Sequence, residues 1–150
     1  MTSESTHPVV ATWVRLGLLA LGLPNVLAGM WAVAAPESWF DSFPGWDPRL
    51  VAAEPPYNAH LATDAGAGLL ASGVVLVAAA WLGDTRSVRL GLLAFATFSV
   101  PHAAYHAFNP APGLSNAEDV QNVVVLVFVL LASVALLAGT RVKPGSRGAR

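Results

Sequence analysis

Two histidines, His102 and His106, stand four residues apart in an otherwise apolar run that also holds Pro101 and Tyr105. On a helix that spacing places both imidazoles on one face, a turn apart. His60 and Asp64 repeat the spacing earlier in the chain. Ionisable groups within apolar segments cost free energy and mark functional positions. Neutral imidazoles joined by a carboxylate are ligands for zinc, copper or iron. Helix bundles assemble such sites from facing helices. His60, Asp64, His102 and His106 therefore form a candidate metal set. The same groups suit proton transfer, or the binding of a small lipophilic ligand such as a quinone or a sterol-like lipid, since a His–Asp pair fixes an imidazole tautomer. Asn25, Thr63, Tyr105, Asp119 and Asn122 are the candidate ligand-binding residues around them. Haem held by paired histidines is a further, secondary option. A third reading assigns no chemistry: the polar cluster fixes helix packing, and the chain is a structural or accessory subunit of a membrane complex. Spacing alone leaves these open, and with them the question of enzymatic activity.

The elements that must position these residues are apolar. The chain has 150 residues, 55% of them hydrophobic and 11% charged, with a mean hydropathy of +0.57. Soluble domains carry about 25% charged residues, so this is a membrane composition, with the lipid bilayer as first partner. A net charge of −1 offers nothing to nucleic acid. The absence of cysteine excludes disulfides, thiolate zinc sites and cysteine-ligated clusters. Homo-oligomers or a membrane-complex partner remain compatible with the composition.

Four apolar stretches, at about 9–35, 57–82, 88–108 and 116–139, are each long enough to cross a bilayer as a helix. A polar tail (1–8) precedes them and is expected to be disordered; a basic tail (141–150) follows. Pro24 lies inside the first stretch and predicts a kink. Beside it, Asn25 shares a face with Leu18, Leu21, Ala28, Gly29 and Ala32, the expected packing surface. In the second stretch the face holding His60, Thr63, Asp64, Ala67, Ala71 and Ala78 is expected to look inward. In the third, Phe95, Phe98, Ser99, His102, Tyr105 and His106 share a face. The fourth opens on Ser115 and Glu118, the spacing of a capping box, and carries Asp119, Asn122, Leu126 and Ser133 on one side. The turn at 83–87 is short and predicts an antiparallel hairpin. Gly17 and Gly29 are small-residue positions available for a partner helix. The connection at 36–56 interleaves Trp39, Phe40, Phe43 and Trp46 with acids, as an interfacial anchor or a lid would.

Basic residues set the orientation. Of the 8 lysines and arginines, only Arg49 falls in the 36–56 connection. The others lie at the start of the first stretch, in the 83–89 turn or after the fourth stretch. The expected fold is an all-α four-helix transmembrane bundle with both termini cytoplasmic. At 1.5 Å per residue, Asp64 then lies about 10 Å and His102 about 9 Å below the outer surface. Polar groups from all four helices converge in the outer half, over an apolar inner half.

The runs from Leu23 to Trp31 and from Tyr57 to Asp64, the pair Trp39-Phe40, and the run from Pro101 to His106 resemble small four-span membrane proteins of high-GC actinobacteria. In general architecture the chain is similar to the DoxX-like group. The resemblance implies a four-span fold in a bacterial inner membrane; it implies no active-site residues.

The charge split yields a direct test. In this cysteine-free chain, Ser42→Cys is expected to react with a membrane-impermeant maleimide on intact cells, and Ser146→Cys only after the membrane is opened. The reverse pattern overturns the orientation.

Overall fold

The structure is a computed structural model that describes residues 9–141. The expected tail at 1–8 and all but the first residue of the expected basic tail lie outside the described residues. Five helices follow one another: α1 (Thr12–Ala34), α2 (Pro36–Ser42), α3 (Ala59–Leu82), α4 (Thr85–Phe108) and α5 (Asn116–Gly139). Among the described residues there is no strand, only an isolated bridge between Val9 and Asp84. Three helices, α1, α3 and α5, are long and apolar enough to cross a membrane. α4 is as long, but Arg86, Arg89, Pro101, His102 and His106 dilute its apolar character.

The ends of these helices follow from local chemistry. α1 begins at Thr12 and not at Val9, because the Val10 N–H donates to the Gly83 carbonyl at 2.8 Å and draws the chain start onto the α3–α4 turn. Asn58 caps α3 by accepting from the Leu61 N–H at 3.1 Å. Asp84 caps α4, accepting from the Arg86 and Ser87 N–H groups at 3.0 Å. α4 therefore starts at Thr85, a few residues before its apolar run. Gly83 adopts φ +71°, the left-handed conformation that closes a helix into a tight turn. The Ser115–Glu118 capping box is present at α5. Pro36 starts α2 at a position where a missing N–H costs nothing. Pro24 and Pro101 both lie within continuous helices.

The four long helices touch in a ring, α1 on α3, α3 on α4, α4 on α5 and α5 on α1. Partner residues run in opposite senses throughout: Gly22 meets Leu76 while Ala32 meets Gly66, and Gly17 meets Leu136 while Gly139 meets Trp13. Both described chain ends and the α3–α4 turn thus share one end of the bundle. α2, the 43–58 connection and the 109–115 loop share the other, where the Gly113 N–H donates to the Ala53 carbonyl at 3.0 Å.

The tightest seam is α1–α3. A Cβ at Gly29 would overlap the backbone of Leu70 and lie 2.7 Å from the Gly66 carbonyl; one at Gly73 would lie 2.6 Å from the Val26 nitrogen. Helices approach this closely only through residues without side chains. The seam fixes the rotation of α3. Its buried face is Ala62, Gly66, Gly73, Leu76 and Ala80, whereas Ala67, Ala71 and Ala78 are exposed. This corrects the expected inward face of the second stretch: glycines permit backbone contact, alanines stop a methyl short of it. Gly17 and Gly29 are likewise occupied, by Leu136 and by Leu70 with Gly66, and are not free for a partner.

At the turn end the interior is a packed core of Val14, Leu18, Leu76, Leu92, Phe95 and Leu136. Outside it, large apolar side chains face outward along all four long helices, among them Leu27, Val74, Leu93 and Leu131. Exposed aromatics mark both ends, Trp13 and Trp81 at one, Trp46 and Phe108 at the other. That distribution suits hydrocarbon flanked by two interfaces.

The seam predicts an asymmetry among glycines. Gly29→Ala is expected to cost about 1–3 kcal/mol, as overpacking against rigid backbone does. Gly17→Ala should cost far less, since the end of the Leu136 side chain can move aside. Reversible unfolding of both variants in detergent, followed by circular dichroism, measures the difference; equal losses would remove the seam from its organising role.

Candidate ligand-binding cavity

Beyond the packed core the helices enclose a cavity of about 750 Å³. Its floor is apolar: Leu69 from α3, Phe95 and Phe98 from α4, and Val125, Leu126 and Val129 from α5. Its outer part is polar, with His102 and His106 from α4, Glu118, Gln121 and Asn122 from α5, and Glu54 from the connection. Pro24 and Asn25 supply the α1 wall. The gradient follows from antiparallel packing. α4 runs outward from Phe95 to His106, and α5 runs inward from Glu118 to Val129, so polar positions of both helices meet at one level.

The connection at 36–56 covers this space. Trp39, on α2, is 6% exposed and packs with Ala32 and Ala62, with Phe43 and Val51 against it. The Trp39 and Phe43 rings lie 5.7 Å apart and tilted by 48°. Phe43 and Trp46 both line the cavity. An interfacial anchor would leave these aromatics facing lipid; Trp39 and Phe43 instead turn inward over the chamber.

Three side-chain atoms around the cavity are buried without a hydrogen-bond partner: Trp39 Nε1, Glu54 Oε1 and His106 Nδ1. Buried polar atoms are nearly always paired, and leaving one unpaired costs about 1–3 kcal/mol. All three belong to cavity-lining residues. His106 is further fixed by its neighbours, edge-on to His102 with centroids 4.8 Å apart and to Tyr105 at 5.6 Å. His102 stacks on Phe98 at 5.7 Å and 18°. The aromatic row Phe98–His102–His106 thus leads from the floor to the mouth.

The expected four-residue metal set is not brought together. His60 and Asp64 pair with each other, Nε2 to Oδ2 at 3.3 Å, with side chains 82% and 62% exposed. Neither lines the cavity that holds His102 and His106. The glycine seam is the cause, because turning Gly66 and Gly73 to α1 rotates His60 and Asp64 outward. Among the described residues no three histidines or carboxylates cluster as a metal site would require. Of the other expected ligand groups, Asn25 and Asn122 line the cavity. Thr63 does not: its hydroxyl donates to the Ala59 carbonyl at 2.8 Å. Asp119 accepts from the Ala111 N–H at 3.2 Å and tethers the 109–115 loop. Tyr105 is 54% exposed and touches the site only through its contact with His106.

Glu54, Gln121 and Ser99 are lining residues to which sequence reasoning gave no ligand role, and Glu118 was read only as a cap. Glu118, Gln121, Val125 and Val129 recur at helical spacing, a signal one position away from the face expected for the fourth stretch. Glu54 sits in an irregular connection and carries no periodic signal. Among the described residues no side-chain hydrogen bond crosses this cavity from helix to helix. Asn25 donates to Leu21 at 2.8 Å, Ser72 to Leu69 at 2.9 Å and Ser133 to Leu130 at 2.7 Å, each within its own helix.

Compared with family models, curated proteins and solved structures, the chain matches none. What its structure defines is an all-helical protein with helices suited to a bilayer, built round an amphipathic chamber.

An exposed pair such as His60–Asp64 contributes little, about 0–1 kcal/mol. Asp64→Ala is therefore expected to unfold within about 1 kcal/mol of wild type, and added zinc should shift both melting temperatures equally. A zinc-dependent gain present in wild type and lost in Asp64→Ala would restore the metal set.

Proposed function

We propose that this is a four-span protein of a bacterial inner membrane whose outward-facing cavity binds a small amphipathic molecule. The observation that carries the reading is the make-up of the chamber, an apolar floor under a rim of His102, His106, Glu54, Gln121 and Asn122. Ligand sites have this make-up, a mostly apolar lining with a few convergent polar groups and about 300–1,000 Å³ of space. The apolar part of the ligand lies against Phe95, Leu69 and Val129. Its polar end meets the rim formed by the histidines, Glu54 and Asn122.

The sidedness of α4 supports a fourth span. Its Leu90, Leu93 and Val100 face outward, while His102 and His106 line the cavity. Arg89 donates to the Thr140 hydroxyl and carbonyl at 3.0 and 3.4 Å. Average hydropathy is low because it sums both faces, and only the outer one would meet lipid. Arg15, Arg86, Arg89 and Arg141 collect at the end holding the described chain ends, which favours that end as cytoplasmic. Metal ligation has less support, since His102 and His106 offer two imidazoles where zinc takes three or four protein ligands.

The test is recovery of the occupant. Protein extracted with its surrounding lipid, purified and analysed by mass spectrometry, is expected to retain one amphiphile stoichiometrically. Leu69→Trp and Val129→Trp fill the floor and should lower that recovery roughly tenfold, a loss of about 1.4 kcal/mol in binding, while the helical circular dichroism signal persists. Identical extracts from wild type and both variants would overturn the reading.

A further inference from the structure

The charge of the lining says what kind of amphiphile fits. Two carboxylates border the cavity, Glu54 and Glu118, and among the described residues no lysine or arginine does. The nearest basic residue of the covering connection, Arg49, is engaged elsewhere: its Nε lies 3.6 Å from Asp47 and its Nη1 donates to the Asp41 carbonyl at 3.5 Å. Glu118 Oε2 already accepts from the Ser115 N–H at 2.8 Å and its hydroxyl at 2.6 Å. Glu54 Oε1 is buried with no partner at all. A buried carboxylate oxygen is costly until a cation or a proton reaches it. Trp39, Phe43 and Trp46 line the same cavity, and aromatic ring faces attract cations.

Resting on the reading of the cavity as an amphiphile site, we infer that its occupant is a lipophilic cation. Glu54 supplies the counter-charge and the aromatic cover supplies cation–π contact. The floor of Phe95, Phe98 and Val125 takes the apolar body. An anionic amphiphile of the same shape would bring like charge to Glu54 and meet no basic side chain. A neutral one without a donor group would bring neither charge nor hydrogen bond to Glu54.

Three probes of similar bulk separate these cases: tetraphenylphosphonium, tetraphenylborate and neutral triphenylphosphine oxide. Equilibrium dialysis against the full chain in micelles, with protein-free micelles subtracted, reads saturable binding. The measurement is made at pH 8. The phosphonium is expected to bind at least roughly tenfold more tightly than either other probe. Glu54→Gln should abolish that preference, and Glu37→Gln, exposed on α2, should not. Trp46→Leu, a substitution at a 71% exposed side chain, should weaken phosphonium binding severalfold more than it weakens binding of the neutral probe, and serves as the second variant if Glu54→Gln fails to fold. Borate binding as well as phosphonium, or a phosphonium preference intact in Glu54→Gln or, where that variant does not fold, in Trp46→Leu, overturns the inference. Equal binding of all three overturns it too but leaves the cavity as an amphiphile site. Binding of none removes both.

Discussion

Lipid tails are as apolar as leucine, so helices in a bilayer gain little by hiding apolar faces from their surroundings and must gain from close packing instead. In this protein the closest packing is the α1–α3 seam at Gly22, Gly29, Gly66 and Gly73, where backbone meets backbone. A helix committed to such a seam has no rotational freedom left. Once Gly66 and Gly73 face α1, His60 and Asp64 must face outward, Gly68 must meet Phe98, and Gly91 of α4 can settle on Ala79 and the Val75 carbonyl. The rest of the bundle is built on this pair.

The cavity is the complement of that seam. Side-chain hydrogen bonds tie α5 at both ends. Thr140 accepts from Arg89 at one end, and Asp119 accepts from the Ala111 N–H at the other. Its contact with α1 is slight beside the α1–α3 seam and includes the meetings of Gly17 with Leu136 and of Gly139 with Trp13 and Val14. Farther out, no small-residue pair draws α5 inward, and Phe95 and Phe98 prop the interior open while Trp39 covers it. Arg15 belongs to the same scheme: its guanidinium donates to the Ala80 and Trp81 carbonyls at 2.8 and 3.2 Å. The C-terminus of α3, where carbonyls lack partners and the dipole favours a cation, is thereby closed by α1, as that of α5 is by α4. The arginines that mark one end of the molecule also cap its helices.

Much of the fold was legible because long apolar runs leave few alternatives. The helix centres, the α5 capping box and the packing face of α1 at Leu18, Gly29 and Ala32 could all be read directly. Helix starts were less legible, since Val9 and Val10 are apolar yet extended, and the capping role of Asp84 extends α4 back to Thr85. The site was half legible. Asn25, His102, His106 and Asn122 reach the cavity as their spacing implied. His60 and Asp64 do not, because two faces of α3 are rich in small residues and only three-dimensional contact distinguishes glycine from alanine as the tighter surface. α2 was hidden by the prolines around it, and Glu54 by the irregularity of its segment.

The arrangement of hydrogen bonds bears on whether the polar groups are glue or a site. Polar residues that hold membrane helices together donate and accept across the interface. Here the hydroxyls of Thr63, Ser72, Thr97 and Ser133 and the Asn25 amide all bond to their own helix. The cross-helix bonds of Arg15 and Arg89 lie at the opposite end of the bundle from His106. Packing at the outer end is instead done by Trp39 among Ala32, Ala62 and Phe43. The side-chain bonds at this end, Trp31 Nε1 to the Ser38 hydroxyl and the Ala111 N–H to Asp119, both at 3.2 Å, tie α2 and the 109–115 loop rather than the long helices to one another. The unpaired atoms of Trp39, Glu54 and His106 carry a free-energy cost, which Trp39 offsets through its packing and which no side-chain bond between the long helices around the cavity recovers.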